Sequence, residues 1–491
     1  MNYGLSGTDV LVMTPLSIIT GFALLVLVLD LFLRPEQRGA LVWTSLLGVL
    51  AALVADVAIP AQSGTWVQGM LRFDEISKFL NVVFLLGAGV AIMLSGEYTA
   101  RQGIARGEYY CLLLFSTLGA MLMGMSADLI MLFLALETLS IPLYVLSTFF
   151  KQQPASQEAG LKYFLLGAFS SALFLYGIAL VYGATGTTGL AGVFAALPEA
   201  LTRAPGMLYA GLGLLIVGLG FKAAAVPFHT WAPDVYEGAP TSVTAFMAVA
   251  AKAGAFAAFL RVLSLAFPQP ELAANWAPLV GLLAILTMVL GNVVAVVQLN
   301  LKRLLAYSSI AHAGYLLVAL VAMQNSATAA AATSSLLFYL FIYTLMTLGA
   351  FGVVIVAEGR GENLSLSDLS GLAARHPWLA GMLAVFMVSL AGLPPTAGFF
   401  AKFYVFKAAI ESGQLGVWLT IIGVLTSVIS VYYYLRVVYY AAIRPAEVER
   451  PLYLSPLAFT SLALAALLVL LLGIYPAAVL AWATPVLMGM P

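Results

Sequence analysis

Along the chain, apolar positions run in blocks of about 20 residues separated by short polar punctuation, the length a helix needs to cross a hydrocarbon core about 30 Å thick. Such blocks place spans at 9–33, 39–59, 76–96, 109–126, 128–149, 160–183, 206–230, 240–266, 275–299, 303–323, 330–357, 378–410, 414–443 and 455–485, about fourteen in all. The period-two alternation of a membrane β-barrel is absent. The pattern predicts an all-α integral membrane protein, a single polytopic domain over 1–491. The opening "MNYGLSGTDVLVMTPL" lacks the basic n-region of a cleavable signal peptide, so the first apolar block reads as a retained span.

The polar punctuation is biased. Loops after odd-numbered spans carry Arg34, Arg38, Arg101, Arg106, Lys151, Lys302, Arg303, Arg360, Arg375, Arg444 and Arg450. Loops after even-numbered spans hold little beyond Arg72, Arg203 and Lys407. The positive-inside rule then makes the odd loops cytoplasmic, in a cell inner (plasma) membrane, with both termini on the outer side. Composition agrees: 63% of the 491 residues are hydrophobic and only 9% charged, against roughly a quarter charged in soluble domains. Mean hydropathy is +1.03. A formal net charge of zero gives no electrostatic case for nucleic acid. The single cysteine, Cys111, forms neither an internal disulfide nor a multi-cysteine metal or iron–sulfur site. With no P-loop and no dinucleotide-binding fingerprint, no cofactor is expected on this chain itself.

Two blocks are interrupted alike. "AVPFHTWAPDVYEGAPTSVTAFMAVAAKAGAFAAFLRV" (225–262) and "AGLPPTAGFFAKFYVFKAAIESGQLGVWLTIIGVLTSVISVYYYLRVV" (391–438) each put proline inside an apolar span. Each then runs into a long helix ending in an aromatic-Leu-Arg-Val tetrapeptide, Phe259–Val262 and Tyr434–Val437. The topology sets these tetrapeptides on opposite faces. That predicts two inverted five-helix repeats, spans 4–8 and 9–13, with broken helices 7 and 12. The chain divides accordingly into three leading helices (1–108), a first repeat (109–266), an inverted second repeat (275–443) and a C-terminal helix (455–485). Proline removes a helix hydrogen bond, and in lipid the freed groups must find protein or water. Pro227 after Lys222, and Pro394-Pro395 before Lys402, therefore predict lined interruptions, although a packing kink alone would also use proline.

A few charges lie where hydrocarbon should be. Glu137 falls about nine residues into its block, roughly 14 Å along a helix, near the midplane. Lys222 lies two-thirds along span 7, Lys252 near the middle of span 8, and Lys402 just past the proline pair. Ionised groups there cost at least a few kcal/mol and usually mark ion pathways. The plainer readings are structural ion pairs or snorkelling lysines. Lys162, near the start of span 6, can reach the interface with its stem. His229 and His312 fall in or beside apolar segments, where a neutral hydrogen-bonded histidine is the bland reading. Asp30 and Asp56 read as interfacial residues, Lys302-Arg303 as a topology signal, and Ser308-Ser309 as helix-packing hydroxyls. Burial disfavours an ammonium and a nearby carboxylate favours it. If Glu137 approaches or leaves Lys222, that lysine takes up or releases a proton, and Lys252 and Lys402 can pass it on through ordered water.

The stretches "FKAAAVPFHTWAPDVYEGAPTSVTAFMAVAAKAGAF" and "LAGLPPTAGFFAKFYVF" resemble the antiporter-like subunits of proton-translocating NADH:quinone oxidoreductase, respiratory complex I. The resemblance covers about 70 to 440, and "PDVYEGAPT" is closer to the N type than to the L and M types. It implies proton translocation driven at a distance by quinone reduction, with no redox chemistry on this chain. NADH, FMN, iron–sulfur clusters and quinone then belong to other subunits. It assigns the relay to Glu137, Lys222, Lys252 and Lys402, with Lys162, His229 and His312 auxiliary. It also implies M-type and L-type antiporter-like neighbours and small K-type and J-type subunits in the bilayer. Two rivals remain at this point: a subunit of a multi-subunit cation/proton antiporter, and a non-pumping spacer in a membrane redox complex.

Overall fold

The computed structural model describes residues 6–360, 363–446 and 451–483. Arg450, read above as a cytoplasmic loop charge, lies outside them, as do the last two residues of the fourteenth expected span.

Three helices lead the chain: α1 (Gly7–Asp30), α2 (Gly39–Ala58) and α3 (Glu75–Gln102). Between the last two, β1 (Gln62–Trp66) and β2 (Leu71–Phe73) pair antiparallel as a hairpin, which the apolar pattern did not announce. Next come α4 (Gly107–Met125), α5 (Leu129–Ser147), α6 (Pro154–Thr185), α7 (Leu190–Arg203), α8 (Pro205–Ala223), α9 (Trp231–Gly238) and α10 (Thr241–Arg261). They are followed by α11 (Pro270–Val297), α12 (Leu301–Ala322), α13 (Ser326–Ala357), α14 (Leu372–Arg375), α15 (Pro377–Ala391), α16 (Ala397–Ser412) and α17 (Gln414–Ala442). The chain closes with α18 (Pro456–Ile474) and α19 (Ala477–Ala483). Among the described residues, thirteen helices are long and apolar enough to cross a membrane. The expected span 378–410 is supplied by α15 and α16 together, each too short to cross alone at 1.5 Å per residue. The short α7 is a further element in what read as a plain connection; its apolar face (Leu190, Val193, Leu197) is buried.

Burial orders the bundle. Every residue of α10 is buried, as is the run Ala332–Ala357 of α13. By contrast α1, α6 and α17 turn most of their apolar surface outward, where lipid is the solvent. Polar contacts gather at two ends. At one, Arg38 binds Asp30 (3.0 Å), Arg101 donates to the Ile355 carbonyl (2.7 Å), and Arg303 bridges Asp234 and Glu237 (2.8 Å each). At the other, Asp9 accepts from the hairpin's Val67 N–H (2.7 Å), and Arg261 of α10 grips Asp74, the N-cap of α3, through two 2.6 Å bonds. Burial opposes ionisation of Asp74, yet Arg261 and the Ser77 N–H hold it well below the usual carboxylate range. Ala483 meets Ser334, near the start of α13, at this same end, so both described termini lie together there.

The two interruptions share a build. After Ala223, Ala224 takes a left-handed conformation (φ 59°); after Ala391, Gly392 does the same (φ 82°). Each is followed three positions on by a proline whose peptide bond is cis, Val226–Pro227 and Pro394–Pro395. One detail departs from expectation. Phe259–Val262 runs on from α10 through a π-helical turn, Val262–Ala266, and Tyr434–Val437 lies inside α17, which continues to Ala442 because Val438–Ala442 remain apolar and proline-free.

Candidate functional site

Breaking a membrane helix leaves its last carbonyls without N–H partners. Both freed ends are met by a lysine. The Ala223 carbonyl at the end of α8 receives Lys252 Nζ from α10 (3.3 Å), and the Ala391 carbonyl at the end of α15 receives Lys402 Nζ from α16 (2.8 Å). A helix C-terminus carries partial negative charge, so an ammonium suits it. Lys222 sits in the last turn of the same broken α8. The three lysines are 4%, 3% and 5% exposed, so none of them faces lipid.

At one end of the row, Lys222 Nζ donates to Ser140 Oγ of α5 (2.8 Å) and to the Tyr163 hydroxyl of α6 (3.0 Å). Ser140 lies three residues beyond Glu137, on the same helix face. Glu137 itself accepts a hydrogen bond from Ser171 of α6. No ion pair joins Glu137 to Lys222 directly; serine hydroxyls stand at both. A cavity of about 10 Å³ touches Ser140, Ser170, Ser171 and Lys222, at the threshold of room for one water. Trp231 of α9 stacks on Tyr163 (4.5 Å between centroids, 8° between planes) and donates Nε1–H to the Phe221 carbonyl (3.0 Å). The short helix after the break thereby fixes the tyrosine that holds Lys222.

The middle of the row is built from hydroxyls. Lys252 Nζ also donates to the Ser309 carbonyl (2.6 Å), whose Oγ accepts from Tyr343 (2.8 Å). One turn further along α12, His312 is 1% exposed. Its Nδ1 meets the Tyr339 hydroxyl (2.7 Å) and its Nε2 the Tyr434 hydroxyl (3.1 Å), which also bonds Ser308. Tyr433 donates to Asn292 Oδ1 (3.0 Å), and Asn292 Nδ2 reaches the Tyr315 hydroxyl (3.1 Å). The Tyr315 ring lies 4.9 Å from Lys402 Nζ, which also donates to Ser427 Oγ (2.8 Å). Side chains of both halves of the chain thus form one polar row through a bundle otherwise packed with apolar groups.

The remaining candidates fall elsewhere. Lys162 is 41% exposed and pairs with Glu158 (2.6 Å) and Asp234 (2.7 Å), at the arginine-rich end. Burial works against the Asp234 carboxylate, but Lys162 and Arg303 keep it below the ordinary range. His229 is half-buried in the loop after α8, and its Nδ1 has no hydrogen-bond partner. Neither joins the row directly.

Three readings are corrected. Asp56 is not interfacial: it is wholly buried against α3, where Asn81 Nδ2 donates to it at 2.8 Å. Lys302 is more than a loop charge, being 2% exposed with Nζ on the Ala239 carbonyl (2.9 Å), near the equally buried Glu358 that accepts from Thr241. Ser308 and Ser309 are members of the row rather than mere packing. What the sequence reading missed is the set of tyrosines. Their spacing carried the signal: 308, 312 and 315 lie on one helix face, as do 339 and 343, and 427 and 434.

Comparison with known proteins agrees with this architecture. A family model described as "NADH:quinone oxidoreductase/Mrp antiporter, TM" matches residues 126–430. The NADH-quinone oxidoreductase subunit N of Trichlorobacter lovleyi is 45% identical over 439 residues, 89% of this chain and 88% of the relative. A chain of respiratory complex I from Thermus thermophilus with bound aureothin is 38% identical, with a TM-score of 0.78 over 95% of this chain and 98% of its own. A chain of the Mrp complex from Dietzia sp. reaches a TM-score of 0.81 over 98% and 97% at 20% identity, a likeness of fold alone. The family match spans both broken helices, the half-buried Glu137 and the three buried lysines, and the subunit N likeness runs over most of both chains: the protein belongs to the NADH:quinone oxidoreductase/Mrp antiporter membrane family, among its subunit N members.

Proposed function

We propose that this chain is a proton-translocating membrane-arm subunit of an NADH:quinone oxidoreductase, moving protons along the row Glu137–Lys222–Lys252–Lys402. The observation that carries the reading is the row itself: three buried lysines, two on the freed carbonyls of broken helices, with serine, histidine and tyrosine groups hydrogen-bonded among and around them. Lys222 and Glu137 are separated by serine hydroxyls, so a small shift of α5 against α8 alters how strongly the carboxylate favours an ammonium at Lys222. A proton accepted there moves past Ser309 and His312 toward Lys402. The auxiliary assignments differ in support: His312 lies within the row, whereas Lys162 and His229 sit at its margin.

The chain supplies no electron carrier in this reading; NADH, FMN, iron–sulfur clusters and quinone are handled by partner subunits. M-type and L-type antiporter-like subunits and K-type and J-type small subunits flank it in a cell inner membrane. Spans 4–8 and 9–13 act as inverted repeats, a reading supported by the matching left-handed exits of α8 and α15 and by a lysine on each freed carbonyl. Identity of 45% to a subunit N against 20% to the Mrp chain favours the oxidoreductase over a cation antiporter.

Lys222→Ala tests this in the assembled complex. Expected is a large loss of proton pumping per quinone reduced, with the subunit still incorporated on native gels. Wild-type stoichiometry in that variant would leave only the spacer reading standing.

A further inference from the structure

Asp56, in the last turn of α2, and Asn81, in the second turn of α3, are both 0% exposed. Asn81 gives its amide hydrogens to Asp56 Oδ1 (2.8 Å) and to the sulfur of Met125 at the end of α4 (3.6 Å). Two buried oxygens remain, Asp56 Oδ2 and Asn81 Oδ1, and among the described residues no group donates to either. The cations at this end are engaged elsewhere. Lys78 of α3 donates to the Ile59 carbonyl (2.7 Å), and Arg72 and Arg261 bind Asp74 (3.3 and 2.6 Å). Glu75 of α3 and Asp9 of α1 carry the same sign as Asp56, and Asp9 already accepts from the Ser6 and Val67 N–H groups.

Two acceptors without a donor are a mismatch that a single hydrogen removes. Placed on Asp56 Oδ2, it turns that oxygen from acceptor into donor, and the acceptor left free beside it is Asn81 Oδ1. A metal cation fits less well, because hard cations take roughly six oxygen ligands and this pair offers two. An ionised Asp56 would set a full charge in an enclosed place with one N–H to hold it, a cost that a neutral acid does not incur. We propose that Asp56 is carried as a neutral carboxylic acid donating Oδ2–H to Asn81 Oδ1, so that the joint of α2, α3 and α4 binds one proton. This proton belongs to the packing of the leading helices and lies apart from the row, whose members sit on α5, α8, α10 and α16. The assignment is independent of the function proposed above, because its readout is a protonation state and pumping should not change with it.

The test is infrared spectroscopy of the intact complex in proteoliposomes at neutral pH, wild type against variants, in H2O and D2O. Wild type minus Asp56→Asn should show one carbonyl band of a protonated acid, above the amide I region and shifted down by D2O. Asn81→Leu removes both the donor to Oδ1 and the acceptor of the acid hydrogen, so the same band should move to higher frequency. That variant also reads the band if Asp56→Asn fails to assemble. In Asp56→Asn that does assemble, the new amide pairs with Asn81 in both directions, and protons pumped per quinone reduced should match wild type. Loss of carboxylate bands in place of the acid band would mean an ionised Asp56, held by water or a cation, and would overturn the proposal. A band that Asn81→Leu leaves unmoved would overturn the pairing, and impaired pumping in assembled Asp56→Asn would overturn the separation from the row.

Discussion

Asp56 and Asn81 show how much one buried residue depends on its neighbour. Asn81 donates to one carboxyl oxygen of Asp56, while Asp56 Oδ2 and Asn81 Oδ1 find no protein partner. Asn81→Ala removes the one hydrogen-bond donor that the described residues offer to a wholly buried carboxyl group, a loss of about 1–3 kcal/mol. The thermal midpoint of the purified complex should fall, and Asp56→Leu combined with Asn81→Leu should recover most of it, because removing both polar partners strands neither. An unshifted midpoint in Asn81→Ala would show the pair to be energetically idle. The sequence could not reveal this burial: Asp56 lies near the end of an apolar block, and only the packing of α3 against α2 closes it off. The tyrosines escaped notice for a related reason. A tyrosine in an apolar run reads as bulk, and its hydroxyl acquires a role only from what the fold brings to it. Glu137 and the three lysines were legible because a charge in a hydrocarbon block is anomalous on its own.

At the scale of elements, the broken helices were foreseen from proline, but their ends were not. The prolines stand three to four residues beyond Ala223 and Ala391, so they announce an interruption without marking the terminal carbonyl. The hairpin and α7 stayed invisible because each is shorter than the block length that identified everything else. The second break also relies on a close approach: a Cβ added at Gly398 of α16 would lie 1.9 Å from the Ser389 carbonyl oxygen of α15, and backbone there has nowhere to go. Gly398→Ala should therefore spread the two half-helices and lower the yield of assembled complex on native gels. Gly381→Ala, where nothing lies within 4 Å, should assemble normally. Full assembly of Gly398→Ala would mean that α15 and α16 tolerate separation.

For the whole molecule, the clustering of arginines at one end gives a testable orientation. Gln37 and Thr202 are exposed at opposite ends, and the native Cys111 is buried. A membrane-impermeant maleimide should label Gln37→Cys in inverted vesicles only, and Thr202→Cys in right-side-out vesicles only. The reverse pattern would turn the chain over in the membrane. Most of the spans were readable from hydropathy alone: thirteen of the described helices are long and apolar enough to cross, and the remaining expected block is divided between α15 and α16. The crossing of polar groups between the two halves was not, since it arises from contacts between residues far apart in the sequence, such as Lys252 with Ser309.

The hydroxyls of Tyr339, Tyr434 and Ser308 can each give or take a hydrogen, and His312 changes tautomer as they do. A conductor made of such groups is indifferent to sense: it carries current equally well from left to right or right to left. If the proposed relay runs through them, rectification must be imposed at the terminals, where Lys222 and Lys402 meet whatever lies beyond them, and a subunit of this construction works as a pump only in company.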